Sequence, residues 1–209
     1  MFGTQDLVMF VIAGLLLNMT PGADTLYIVS RSAAQGVHAG IVAALGIGAG
    51  CLVHIVAAAV GISAILAASA TAFFIVKLVG AAYLLYLGIS MMFSRKRSDV
   101  EQPILAQASM KKIFQQGFFT NALNPKVALF FLAFLPQFIA PDAEQKWLGM
   151  LFLGLLFNVT GTIWNVLVAW SAAQVSGRMK ASPSVGLWLN RCCGGLFIYF
   201  GVKLVQSEN

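Results

Sequence analysis

Long apolar stretches alternate with short polar ones along the chain, and two of the stretches are interrupted near their middles. The first runs from about Leu7 to Val29 and is broken by Asn18-Met19-Thr20-Pro21-Gly22-Ala23-Asp24. The second runs from about Ile113 to Phe138, is broken by Asn121-Ala122-Leu123-Asn124-Pro125-Lys126, and closes at Pro136-Gln137. Proline removes a backbone donor and frees a carbonyl, and lipid satisfies neither, so each break requires a polar interior. In the first break Thr20 reads as an N-cap with Pro21 opening the second half-helix; in the second, Asn124 reads as the cap and Pro125 as the first helical residue. Uninterrupted spans are predicted over about Ala39–Ala68, Phe73–Phe93, Trp147–Ala173 and Leu187–Val205, and Arg31 to His38 reads as a short polar loop.

Spanning the hydrocarbon takes about 20 apolar residues, so this pattern predicts six transmembrane helices and no soluble domain. Residues 1–209 form one membrane domain, with a first repeat over about 5–93, a hydrophilic linker over about 94–112 and a second repeat over about 113–206. Besides the paired breaks, Lys77-x-x-Gly80-Ala81-x-Tyr83 and Arg191-x-x-Gly194-Gly195-x-Phe197 repeat one order of basic, small and aromatic residues. Three spans per repeat force the second copy to be inverted. The expected fold is therefore all-α: a polytopic membrane protein of two inverted three-helix repeats, with helices 1 and 4 broken.

Composition agrees. The chain is 59% hydrophobic and 10% charged, whereas charged residues make up about 25% of soluble domains. The net charge of +6 sits at the ends of apolar runs rather than on one face, which excludes a nucleic-acid binder. Basic residues concentrate in the loops holding Arg31, Arg95 to Arg97, Lys111, Lys112, Arg178, Lys180 and Arg191, so both termini are expected outside. The first apolar stretch has no basic region before it and no Ala-x-Ala site after it, and reads as a helix rather than a signal peptide. Cys51, Cys192 and Cys193 have no metal or redox spacing and read as packing residues. Gly40, Gly46, Gly48 and Gly50 give the second span a face that lets helices approach closely, within one subunit or in a homo-oligomer. Trp147 and Trp188 read as interfacial anchors.

The chemistry lies at the breaks. Lys126 follows Pro125 at the positive end of a half-helix dipole and deep in the membrane, so it must be paired, deprotonated or facing water. Asp24 is its nearest partner by depth. The two are expected to line one substrate-binding cavity and to exchange their mutual pairing for a zwitterion, the solute's ammonium near Asp24 and its carboxylate near Lys126. A static ion pair fixing helix 1 against helix 4 is the alternative. Asn18, Thr20, Asn121 and Asn124 supply polar groups to the broken backbone, and Gly22 allows close approach there. His54 is a candidate proton relay or a hydrogen-bonded packing residue, and Asn158, Trp164 and Asn165 are candidates for the cavity wall. No cofactor or metal is expected, and no spacing suits an intramembrane enzyme. An assembly subunit without a pathway would leave the two charged breaks unexplained.

At these residues the sequence resembles the LysE-type translocators, the lysine exporter and homoserine/threonine exporter family of bacterial amino-acid efflux proteins. The resemblance rests on Thr20-Pro21-Gly22-Ala23-Asp24 with Tyr27 to Gly36, on Lys77-x-x-Gly80-Ala81-Ala82-Tyr83-Leu84, and on Asn121-x-x-Asn124-Pro125-Lys126 followed by Phe130-Phe131 and Pro136-Gln137-Phe138. Ala23 stands where many members have proline. The resemblance implies a secondary transporter in the bacterial cytoplasmic membrane, exporting amino acids and driven by the membrane potential or by protons as coupling ion. The family's substrates range from basic to neutral amino acids. With one buried carboxylate and no second site for a cationic side chain, the cavity favours neutral substrates of the threonine or homoserine kind.

Overall fold

A computed structural model describes residues 2–62, 70–93, 107–140 and 142–175, together with a set of helical positions between 191 and 206. Seven α-helices are defined among the described residues: α1 (Leu7–Met19), α2 (Ala23–Gln35), α3 (Val37–Ala57), α4 (Ala70–Met92), α5 (Met110–Ala122), α6 (Pro125–Ala133) and α7 (Lys146–Val175). A π-helical turn, Ala58–Ile62, extends α3, and a 3-10 turn, Leu135–Phe138, follows α6.

Two segments, Val37–Gly61 and Lys146–Gln174, are each long and apolar enough to cross a membrane. The interrupted stretches form two further candidates, each a pair of half-helices: α1 with α2, bent by 54°, and α5 with α6 and its 3-10 turn, bent by 47°. The bends fall where the prolines remove donors. Pro136 lies inside the 3-10 turn, consistent with its expected role in ending the helix.

The polar loop expected from Arg31 to His38 is not a loop. α2 runs on through Arg31 to Gln35, and Gly36, at φ 82°, is the single residue between it and α3. That left-handed conformation suits glycine, and it lets the chain reverse without a connecting segment. Arg31 is buried. Lys77, near the start of the span expected from Phe73, lies two turns inside α4. The linker around 94–106, the segment from 176 to 190 with Arg178, Lys180 and Trp188, and Cys192 and Cys193 lie outside the described residues.

α3 is the central element, packing chiefly on α5 and α7, with α2 against both α3 and α7. Its glycines make this possible within one chain: a Cβ on Gly46 would overlap the Phe114 carbonyl, and one on Gly117 of α5 would lie 2.7 Å from the Ala43 carbonyl oxygen. Backbones this close leave no room for side chains. α4 packs on α6, and Gly88 of α4 lies against Gly194. On the side reached by the end of α6, Phe10, Phe130, Phe134, Phe138 and Phe157 form a continuous aromatic core, with successive ring centroids 4.7 to 5.2 Å apart. Short backbone pairing joins the start of the chain to this end. Gln5 N–H donates to the Phe138 carbonyl at 2.9 Å, and Ala140 N–H to the Gly3 carbonyl at 2.7 Å.

Candidate functional site

The two breaks meet at one cavity, but they are built differently. In the second, the cap is as expected: the Asn124 side chain accepts from Lys126 N–H at 3.0 Å, and Pro125 opens α6. In the first, Thr20 does not cap α2. Its hydroxyl donates back to the Leu16 carbonyl at 2.8 Å and its N–H reaches the Leu16 and Leu17 carbonyls, so it closes α1. A threonine hydroxyl has this choice, and bonding to the carbonyl four residues back satisfies a group that the break would leave bare. α2 starts at Ala23 with the extended Gly22 before it, and Pro21 lies in the gap rather than in the helix.

Each break's charged residue serves the other break. The Lys126 ammonium donates to the Leu17 carbonyl at 3.1 Å and to the Thr20 carbonyl at 3.3 Å, at the carbonyl end of α1. This corrects the expectation that the dipole opposes the charge: the head group sits at the negative end of α1, where a cation is favoured. Asp24, in the first turn of α2, accepts at Oδ2 from Asn121 at 2.9 Å and from Asn124 at 3.3 Å. Its hydrogen bonds are thus with asparagine amides of the second break. Two acceptors, Asp24 Oδ1 and Asn121 Oδ1, are buried without a hydrogen-bond partner. An acceptor buried in that way is costly, and a donor brought by a ligand would relieve it.

The cavity between the breaks has a volume of about 40 Å³, room for roughly three waters. Asp24 and Lys126 line it, together with the five residues expected beside them at the breaks: Asn18, Thr20, Gly22, Asn121 and Asn124. Asn18 returns its amide to the Gly14 carbonyl at 2.9 Å, and Gly22 leaves room beside the Lys126 ammonium. Of the wall candidates, Asn158 and Asn165 line the cavity, whereas Trp164 is not part of the lining. Thr25, Gly48, Cys51, Phe157, Gly161 and Thr162 belong to it and were missed. Gly161 and Thr162 were within reach of the sequence, because 158, 161, 162 and 165 follow the spacing of one helix face.

His54 is buried beneath the second break, and its Nε2–H donates to the Asn121 carbonyl at 2.9 Å. It faces a second, apolar cavity of about 190 Å³ with Ala57, Ala58, Gly61, Ala128, Phe131 and Leu132. This cavity is the larger, but it holds neither charged residue, so the chemistry is assigned to the smaller one. Among the described residues no cluster of three His, Cys, Asp or Glu could hold a metal ion.

Paired half-helices, apolar spans and a charged cavity between the breaks are the architecture of a membrane transport protein. The chain belongs to the LysE type translocator family, which it matches over residues 15–208. It is 29% identical over 204 residues to a homoserine/homoserine lactone efflux protein of Salmonella typhimurium, covering 96% of each chain. To a leucine efflux protein of Salmonella choleraesuis it is 26% identical over 211 residues, covering 100% of this chain and 98% of the relative. An uncharacterised membrane protein of Vibrio cholerae is 30% identical over 200 residues, with 95% of this chain and 96% of the relative covered. No solved structure matches.

Proposed function

We propose that the protein is a secondary transporter that exports neutral amino acids of the threonine or homoserine kind across the bacterial cytoplasmic membrane. The observation that carries this reading is the cavity at the crossed breaks, where Asp24 Oδ1 and Asn121 Oδ1 lack donors close to the Lys126 ammonium. A solute ammonium supplies the missing donors, and its carboxylate exchanges for the α1 carbonyls at Lys126. With Asp24 as the single carboxylate in the lining, a second cationic group on the solute has no partner. Asn18, Thr25, Asn158, Thr162 and Asn165 offer hydrogen bonds to a side-chain hydroxyl.

The two bent pairs serve as the first helices of two inverted repeats of three, giving six spans within one membrane domain. Both termini lie outside, in keeping with the exposed Lys111 and Lys112 at the start of α5 on the cytoplasmic side. Protons, met first at Asp24 or His54, are the coupling ion. A cavity with room for only a few waters supports a contracted state, so the solute enters when one side opens.

Counterflow in proteoliposomes tests the reading, using a panel of single amino acids with and without a pH gradient. Exchange of threonine or homoserine that exceeds that of lysine is the expected result. Exchange of basic amino acids alone would overturn the substrate class, and no exchange of any amino acid would overturn the transport reading.

A further inference from the structure

Below the cavity, α2 and α5 run antiparallel and are laced by side chains at one helical face of α2. Asp24 meets Asn121 at the cavity, and the lacing continues away from it with Tyr27, Arg31 and Gln35. The single Tyr27 hydroxyl proton faces two acceptors, the Ile113 carbonyl at 2.9 Å and Gln116 Oε1 at 3.2 Å. Arg31 donates to the same Gln116 oxygen at 2.8 Å and to Gln35 Oε1 at 3.1 Å, with its guanidinium 5.6 Å from the Tyr27 ring centre. Gln35 ends the series by pairing both ways with the Ala108 backbone, at 2.9 and 3.0 Å. Apart from the Arg31–Gln35 contact within α2, these bonds join α2 to α5 or to Ala108 just before it.

The opposite side of the cavity is closed in another way. There Phe157 of the cavity wall begins the aromatic core that continues through Phe130, Phe134 and Phe138 to Phe10. Water can replace each hydrogen bond of a polar clasp at small net cost, whereas a stack of buried rings loses its apolar contacts outright when parted. The two closures are therefore unequal.

We infer that the Tyr27–Arg31–Gln35–Gln116 clasp is the gate through which solute reaches the cavity, opening toward the side that bears Lys111 and Lys112. Gln116 is its pivot, since its side-chain oxygen accepts from Arg31 and lies within reach of the Tyr27 hydroxyl. The inference rests on the transport reading for its purpose, but its geometry is tested without any solute. Cys51 lines the cavity and is buried, so it reacts only when a path opens. In a Cys192→Ser/Cys193→Ser background it is the sole thiol.

The experiment measures labelling of Cys51 by a membrane-impermeant methanethiosulfonate in vesicles of either orientation. Gln116→Ala removes that acceptor and should speed labelling from the Lys111 side, leaving the other side unchanged. Gln116→Glu keeps the shape, turns the Arg31 contact into an ion pair, and should slow labelling at least about threefold. Opposite effects of the two variants support the gate. Equal effects, no effect, or a change confined to the far side overturn it. If Gln116→Ala does not reach the membrane, Gln116→Glu decides alone, and a rate that is not lowered overturns the gate. If labelling responds as stated while counterflow finds no amino-acid substrate, the gate stands and the substrate reading fails.

Discussion

Asp24→Asn changes one atom of the site and isolates the charge from the shape. In the wild type Oδ2 accepts from Asn121 and Asn124 while Oδ1 is buried without a donor. The asparagine oxygen can take over the two amide contacts, so the fold should survive and the melting temperature in detergent should change little. What is lost is the charged acceptor for the solute ammonium. A hydrogen bond to a charged group contributes about 1.5–3 kcal/mol, and about 1.4 kcal/mol corresponds to a factor of ten. The concentration for half-maximal counterflow of threonine or homoserine should then rise roughly 10- to 150-fold. A comparison with the matching hydroxy acid, which lacks the amine, separates recognition from damage: the substitution should leave its weak exchange unchanged. An unaltered half-saturation for the amino acid would refute the reasoning, and so would an equal loss for the hydroxy acid.

Lys126→Met should abolish counterflow and also destabilise the protein by about 1–3 kcal/mol, because the Thr20 carbonyl loses the ammonium while the Leu17 carbonyl keeps only the Thr20 N–H; thermal unfolding in detergent reads the second effect. Asn124→Ala removes the cap of α6, which should cost about 0.5–2 kcal/mol in the same assay. Gly117→Val forces side-chain atoms into the Ala43 backbone and should destabilise by about 1–3 kcal/mol or more, seen as loss of monodisperse protein on extraction. His54→Phe leaves the Asn121 carbonyl without its imidazole donor, and should lower the melting temperature more than His54→Gln, which retains an N–H.

The breaks were legible because proline acts locally: Pro21 and Pro125 mark their places without any knowledge of the fold, and the Asn124 cap follows from a residue two positions away. The misreadings share a cause, which is distance along the chain. Arg31 looked like a loop residue until Gln116, 85 positions on, supplied its acceptor. Lys126 looked electrostatically strained because only its own helix is visible in sequence, whereas the α1 carbonyl end that receives it is 106 to 109 residues earlier. Thr20 failed for a different reason. Its hydroxyl can bond forward or backward with similar ease, and the choice depends on which backbone groups the bend exposes. Thr162 and Gly161 needed only the helical spacing already implied by Asn158 and Asn165.

The pairing of Gly3 and Gln5 with residues 138–140 bears on how the protein is made. The ribosome releases the first bent helix long before its backbone partner exists, so the opening residues wait through the synthesis of more than a hundred others. During that interval α1 enters the bilayer without the ammonium that later bonds to its carbonyl end. Assembly of the second half therefore completes the first, and a chain halted before residue 126 has an unfinished helix end in the membrane.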